Sequence, residues 1–198
     1  WIRAEGALAR YSLTRSDNSL TITVHRLVQA VTRDRMSDDA KKQWSEAAAK
    51  IVNDALPRDV DTKPEIWPLY TRLLAHALAA ADYAAALGTA SEATARLFNQ
   101  SALYLNVRAQ FTEAKQLFER ALAIDEAAFG PNHPNVATAV NNLGSVLRAL
   151  GDLAGAKQCI ERALAISEAT LGTNHPQVAI GVNNLGSVLK ALGDLVGA

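Results

Sequence analysis

The chain has 198 residues, of which 49% are hydrophobic and 20% are charged, and its formal net charge is zero. This composition is typical of an ordinary globular protein and excludes a disordered polyelectrolyte, while neutrality removes any overall attraction to nucleic acid or acidic lipid. The single cysteine, Cys159, excludes an internal disulfide and a multi-cysteine metal site. No apolar run is long enough to span a bilayer, so we expect a cytoplasmic protein with no membrane partner. Because the sequence begins at Trp1 and ends inside a repeated phrase, we also expect a piece of a longer protein.

Residues 1–36 have the pattern helix, strand, turn, strand, helix. Strand-favouring residues alternate over 11–15 and 20–24, and turn-forming residues 16–19 lie between them. After the second strand the apolar spacing becomes helical. A helix leading into a two-stranded hairpin is typical of the end of a winged-helix domain. We therefore predict a partial winged-helix segment with one β-hairpin.

The segment VHRLVQAV at residues 24–31 resembles the end of the winged-helix domain in NB-ARC or STAND-type signal-transduction ATPases. In that family a histidine between strand and helix contacts the β-phosphate of bound ADP, and the resemblance gives this nucleotide-sensing place to His25. The alternative is that His25 only caps the helix that follows it. No Gly-x-x-x-x-Gly-Lys-Ser/Thr phosphate loop occurs in the chain. We therefore expect no cofactor in this chain, and ADP or ATP only in a full-length parent protein.

A winged helix can also bind DNA, with residues 1–10 as its recognition helix. Residues 1–36 carry six basic and three acidic side chains: Arg3, Arg10, Arg15, Arg26, Arg33 and Arg35 against Glu5, Asp17 and Asp34. A surplus of three charges is small for phosphate contacts, so a transcriptional regulator is the least favoured alternative.

Residues 37–90 are predicted to form a helical linker region. Ser37 is placed to cap a helix of about Asp38–Leu56. The stretch PRDVDTKPEIWP, residues 57–68, is rich in proline and charge and is typical of a linker. Apolar residues at helical spacing mark a further helix beyond it.

The rest of the chain repeats with a period of 42 residues. The 24 residues from His133 return from His175 with 19 identities, and residues 109–132 match 151–174 at 13 of 24 positions. A period of this length indicates stacked supersecondary units.

Each unit is predicted to form two helices. The first has an apolar stripe of Val136, Val140, Leu143, Leu147 and Leu150, and the second has a stripe of Leu153, Ala156, Ile160, Ala163, Leu164 and Ile166. Gly151 is expected to end the first helix and Asp152 to cap the second. The small residues Gly144 and Ala156 should let the two helices approach closely.

The spacing of Leu143, Gly144, Leu147, Ala156, Ile160 and Ala163 resembles the tetratricopeptide repeat, in a 42-residue variant like that of kinesin light chains. The resemblance implies a mainly α protein in which an α-α superhelix, residues 91–198, follows the winged-helix segment. Its units are 91–132, 133–174 and an incomplete 175–198. We expect Val182, Leu185, Val188 and Leu192 to be partly uncovered in the incomplete unit, which would permit self-association.

In arrays of this family the first helices line a concave groove that binds extended peptides. The candidate groove residues are Asn141, Asn142, Ser145 and Arg148, and one period later Asn183, Asn184, Ser187 and Lys190. Amide side chains suit a peptide backbone, and the basic pair favours an acidic peptide. The alternative is that the asparagines only fix repeat stacking. We expect a split, with one asparagine of each pair in the groove.

No catalytic or metal-binding arrangement is found. His76, His133 and His175 have no ligand at metal-binding spacing, Cys159 is predicted to be a core thiol, and the serines lack a base. We therefore predict a non-enzymatic sensor or oligomerisation part of a STAND-type ATPase, with protein or peptide as its partner. The competing class is a stand-alone scaffold or cargo adaptor.

Overall fold

The computed structural model describes residues 14–16, 22–89 and 91–193. The chain divides into two compact units, Trp1–Trp44 and Ser45–Ala198. The described elements are β1 (Thr14–Ser16), β2 (Ile22–Val24), α1 (Arg26–Arg35), α2 (Asp38–Ala55), a short 3-10 helix (Pro64–Ile66), α3 (Trp67–Leu87), α4 (Ser91–Val107), α5 (Phe111–Phe129), α6 (Pro134–Ala149), α7 (Leu153–Leu171) and α8 (Pro176–Leu192). In these ranges no helix combines the length and the apolar character needed to cross a membrane.

In the first unit β1 and β2 pair antiparallel, with Thr14 opposite Val24. The predicted helix over 1–10 and most of the predicted turn lie outside the described residues. Nothing in the described part of this unit shows a winged-helix fold, since two three-residue strands occur in many folds. Directly after β2, His25 caps α1, because its Nδ1 accepts a hydrogen bond from the backbone N–H of Leu27 at 3.2 Å.

The second unit is a stack of helices in chain order, which confirms the mainly α repeat architecture. Consecutive helices from α3 to α8 pack on one another, and the first helices α4, α6 and α8 also touch in sequence. The predicted stripes are largely buried, as Val140 and Ile160 illustrate. Leu150, which follows the last residue of α6, is the exception and is exposed.

In each repeat, a residue with a positive φ, in the left-handed region, ends the first helix. Gly151 and Gly193 have φ values of 86° and 77°, and Ala109 occupies the same repeat position with a φ of 58°. Asp152 caps α7 as predicted, since its Oδ1 accepts a hydrogen bond from the backbone N–H of Gly155 at 2.9 Å.

The two helices of a repeat, α6 and α7, approach closely at Gly144. A Cβ placed there would lie 2.7 Å from Cγ1 of Ile160, 3.2 Å from the carbonyl oxygen of Ala156 and 3.3 Å from Cβ of Cys159. The prediction that small residues permit close packing is therefore confirmed at this position. At Gly186, one period later, no atom of the described residues lies within 4 Å of such a Cβ.

The segment between α2 and α3 is held against the stack. Val60 is fully buried, and Nε1 of Trp67 donates a hydrogen bond to its carbonyl oxygen at 2.9 Å. The Tyr70 hydroxyl lies 2.5 Å from the carbonyl oxygen of Pro57 and 3.0 Å from Oε1 of Gln100. These contacts fix the residues between Pro57 and Val60.

The last helix differs in part from expectation. Val182 and Leu192 are exposed and Leu185 is half-buried, as predicted. Val188 is fully buried, so its prediction is wrong, because this side chain lies within the main apolar core of the stack.

Candidate functional site

Asparagine side chains link the first helices of successive repeats. Nδ2 of Asn142 on α6 donates a hydrogen bond to Oδ1 of Asn99 on α4 at 3.1 Å. One period later, Nδ2 of Asn184 on α8 donates to Oδ1 of Asn141 on α6 at 3.0 Å. The second asparagine of each pair therefore fixes repeat stacking, and these two bonds form what we call the asparagine ladder.

The ladder leaves some of the predicted groove groups without a protein partner. Within the described residues, the Nδ2 group of Asn141 donates no hydrogen bond and the exposed side chain of Asn183 makes none. The hydroxyls of Ser145 and Ser187 donate to the carbonyl oxygens of Asn141 and Asn183, at 3.2 and 2.9 Å. Both serine protons are therefore used inside their own helices, and the hydroxyls can only accept.

Arg148 and Lys190 are exposed near the C-terminal ends of α6 and α8. Neither side chain forms an ion pair with any residue that the structure describes. Their charges are therefore available to a ligand, although water screens them at this exposure.

An opening of about 280 Å³ lies beside the ladder, between α4 and α6. We call it the α4/α6 cavity. It shares Asn99 with the ladder, and α5 contributes to its wall. Its lining residues are Arg58, Glu92, Ala95, Arg96, Asn99, Gln100, Asp125, Asn135, Thr138 and Ala139.

Asp125 is the buried charge of this cavity. The residue is only 8% exposed, and no group in the described ranges donates a hydrogen bond to its carboxylate or pairs with it. The pKa of Asp125 is raised to about 6, mainly by burial. The charge of nearby His133 opposes this shift, and that of Glu92 adds to it. A carboxyl group kept in this environment has a free-energy cost when it ionises.

Arg96 lies in the cavity wall, but its guanidinium is committed elsewhere. Nη1 donates to the carbonyl oxygen of Asn53 at 2.8 Å and to its Oδ1 at 2.5 Å, and Nη2 donates to the carbonyl oxygen of Leu56 at 3.2 Å. These bonds satisfy carbonyl groups at the end of α2. Arg96 therefore anchors α2 and does not neutralise Asp125.

The same position between α6 and α8 has a much smaller opening, the α6/α8 cavity, of about 10 Å³. Its lining includes Asn141, Ser167 and Gln177, which stand one period after Asn99, Asp125 and Asn135. Nε2 of Gln177 donates a hydrogen bond to Oγ1 of Thr138 at 2.6 Å and joins the two helices across the opening. The two repeats thus share an architecture but differ in the space and charge they offer.

The sequence comparison agrees with the geometry. The tetratricopeptide repeat family model matches residues 93–168 and 136–198, which together span more than half of the chain. The chain belongs to the tetratricopeptide repeat family. A comparison with curated proteins returned no match.

Three solved structures have a similar fold. BtubC (BKLC) from P. vanneervenii has a TM-score of 0.60 at 18% identity, covering 82% of this chain and 70% of that one. A singly substituted form of nearly identical TPR-like repeats from a Podosopora anserina protein described as a kinesin light chain has a TM-score of 0.54 at 19% identity, covering 98% and 88%. A second structure of those repeats has a TM-score of 0.50 at 18% identity, covering 69% and 70%. At these identities the likeness concerns the fold alone.

The family match begins at residue 93, so it does not support the assignment of residues 1–36 to a winged helix or to an NB-ARC ATPase. The tetratricopeptide repeat is typically a non-catalytic binding module, and the matched family therefore indicates protein interaction. His133 and His175 act as helix caps, with Nδ1 accepting from the backbone N–H of Asn135 at 3.2 Å and of Gln177 at 3.1 Å. No group of three potential metal ligands occurs in the described ranges.

Sequence reasoning missed the α4/α6 cavity. It singled out residues that recur, whereas this cavity depends on residues that do not. One feature of the sequence could have indicated the cavity. Asp125 stands where the next repeat has Ser167, although the residues around this position are largely the same in the two repeats. A charged residue that occupies a buried position in one repeat but not in the next is not required by the packing that the two repeats share.

Proposed function

We propose that this tetratricopeptide repeat module binds an extended segment of a partner protein along the face formed by α4, α6 and α8. The observation that carries the proposal is the asparagine ladder, which aligns amide groups of successive repeats and leaves donors of Asn141 and Asn183 unused. An extended peptide presents backbone N–H and C=O groups at regular intervals, and amide side chains can pair with both.

The basic residues on this face favour an acidic segment. Arg148 and Lys190 stand one period apart and are exposed. A segment with acidic side chains or a terminal carboxylate near these positions would gain favourable electrostatic interactions. Exposed charges of this kind increase the association rate more than they increase the affinity.

The test is a selection from a randomised peptide library, followed by affinity measurements on two double variants. Asn141→Ala with Asn183→Ala removes the unused amide groups and one ladder bond. The matched control, Asn142→Ala with Asn184→Ala, removes both ladder bonds but keeps the unused groups.

We expect the first variant to lose about thirtyfold in peptide affinity, since it loses two hydrogen bonds that contribute about 1 kcal/mol each. The control should have the lower unfolding temperature but lose less affinity. Unchanged affinity in the first variant, or failure of the wild-type chain to enrich any peptide, would contradict the proposal.

As to the parent protein, we propose a sensor or oligomerisation role in a STAND-type ATPase, with a stand-alone cytoplasmic scaffold as the alternative. The resemblance of residues 24–31 supports the first, and the repeat match supports both equally. The coding sequence upstream of Trp1 decides between them. A phosphate loop there, with loss of ADP retention in a His25→Ala variant of the full protein, is the expected result for the ATPase.

A further inference from the structure

The α4/α6 cavity contains a carboxylate that the protein does not pair. Asp125 is only 8% exposed, and within the described residues it receives neither a hydrogen bond nor an ion pair. A carboxylate that is mostly buried and unpaired is incompletely hydrated, which favours a cationic partner. The side chain also lines an open cavity, so a ligand can reach it.

The size of the cavity limits what can enter. A volume of about 10 Å³, as in the α6/α8 cavity, is roughly that needed for one water molecule. The α4/α6 cavity, with about 280 Å³, can accept a whole side chain. In the α6/α8 cavity, Gln177 bonds to Thr138 and closes the opening. One period earlier the corresponding residues are Asn135 and Arg96. The α4/α6 cavity stays open because Asn135 is shorter than Gln177 by one methylene and because Arg96 is bonded to the end of α2.

The charges around the opening favour a cation at Asp125. Glu92 also lines the cavity and is exposed, while the guanidinium of Arg96 is held by Asn53 and Leu56. Arg58 lines the cavity and is exposed, where water screens its charge. His133 also interacts electrostatically with Asp125, but the two form no ion pair. Among the described residues of the cavity, the most buried charged group is therefore an anion without an ion-pair partner.

We propose that the α4/α6 cavity binds a basic side chain, lysine or arginine, of the partner segment, with Asp125 as its counterion. This inference rests on the proposed function, because it places one anchor of the same bound segment. The partner would then carry a basic residue at the α4/α6 cavity and acidic groups toward Arg148 and Lys190. The α6/α8 cavity would bind no side chain, since Ser167 replaces the carboxylate and Gln177 closes the opening.

A test independent of any partner uses small probes and NMR. N-acetyl-arginine amide and N-acetyl-lysine amide are titrated into the labelled chain, beside their neutral counterparts N-acetyl-citrulline amide and N-acetyl-norleucine amide. We expect saturable shifts of the Asp125, Asn99 and Asn135 amides with the basic probes and about tenfold weaker binding of the neutral ones.

Two substitutions of Asp125 and one control identify the counterion. Asp125→Asn keeps the shape, and Asp125→Ser reproduces the residue of the next repeat. Both should abolish the preference for basic probes, whereas Glu113→Gln, an exposed position on α5 that does not line the cavity, has the same change in net charge and should change the preference by no more than about twofold. Equal binding of arginine and citrulline probes, or equal losses in Asp125→Asn and Glu113→Gln, would overturn the inference.

The library selection separates this inference from the proposed function. If peptides are enriched but show no lysine or arginine that depends on Asp125, the groove binds peptides and the inference fails. If no peptide is enriched while the basic probes still bind at Asp125, the cavity is a cation site and the proposed function fails.

Discussion

Replacing Gly144 by alanine is the most direct test of how the repeat packs. The new Cβ would lie 2.7 Å from Cγ1 of the fully buried Ile160 and 3.2 Å from the carbonyl oxygen of Ala156. Carbon atoms pack best at about 3.5–4.0 Å, so α6 and α7 must separate by several tenths of an ångström or Ile160 must leave its rotamer.

The expected magnitude follows from two opposing terms. Overpacking of this kind costs about 1–3 kcal/mol. Alanine in place of glycine inside a helix contributes about 0.5–1 kcal/mol in the opposite direction. We therefore expect Gly144→Ala to lower the free energy of unfolding by about 0.5–2 kcal/mol.

Gly186→Ala is the matched control, because it changes the same residue in the same local sequence. No atom of the described residues lies within 4 Å of the new Cβ, so only the helix-propensity term should apply. We expect this variant to gain about 0.5–1 kcal/mol.

Urea unfolding followed by circular dichroism measures both variants. Hydrogen exchange of the α6 and α7 amides locates the change, because repeats can unfold separately. A Gly144→Ala variant as stable as Gly186→Ala would refute the close-packing argument.

Two further changes test the unusual positions of the first repeat. Asp125→Asn should stabilise the chain at pH 7 by on the order of 1–3 kcal/mol, because the folded pKa of about 6 lies above the ordinary 3.8. The folded carboxyl binds its proton more tightly, so wild-type stability should fall as pH rises from about 4 to 6, and the advantage of the variant should vanish below about pH 4 in thermal melts. No pH dependence of the difference would show that Asp125 is solvated. Ala109→Gly should raise stability by about 1 kcal/mol, since Ala109 has a φ of 58° where Gly151 stands in the next repeat; a lower unfolding midpoint for this variant would contradict that assignment.

The exposed C-terminal positions and the helix caps followed from the sequence with few errors. Caps depend on residues within a few positions, as at Ser37 and Asp152, and local chemistry determines them. Leu150 and Val188 were assigned wrongly, because the position of a stripe residue also depends on where its helix ends and what packs beside it.

The sequence by itself determined the repeat, its two-helix units and the close approach at Gly144. These features recur with the 42-residue period, and each follows from the residue type at a fixed spacing. The sequence predicted one stacking asparagine and one groove asparagine in each pair, but not that Asn141 also accepts a ladder bond, from Asn184.

Only the tertiary structure revealed the α4/α6 cavity. The α4/α6 cavity joins Arg58, Glu92 and Asp125, which are far apart in the sequence and meet because successive helices stack. It is larger than the α6/α8 cavity because Gln177 bonds to Thr138 across that opening, whereas Arg96, at the position of Thr138, bonds to the end of α2. Periodicity describes what the repeats share, whereas the proposed site lies where the packing of one repeat departs from that of the next.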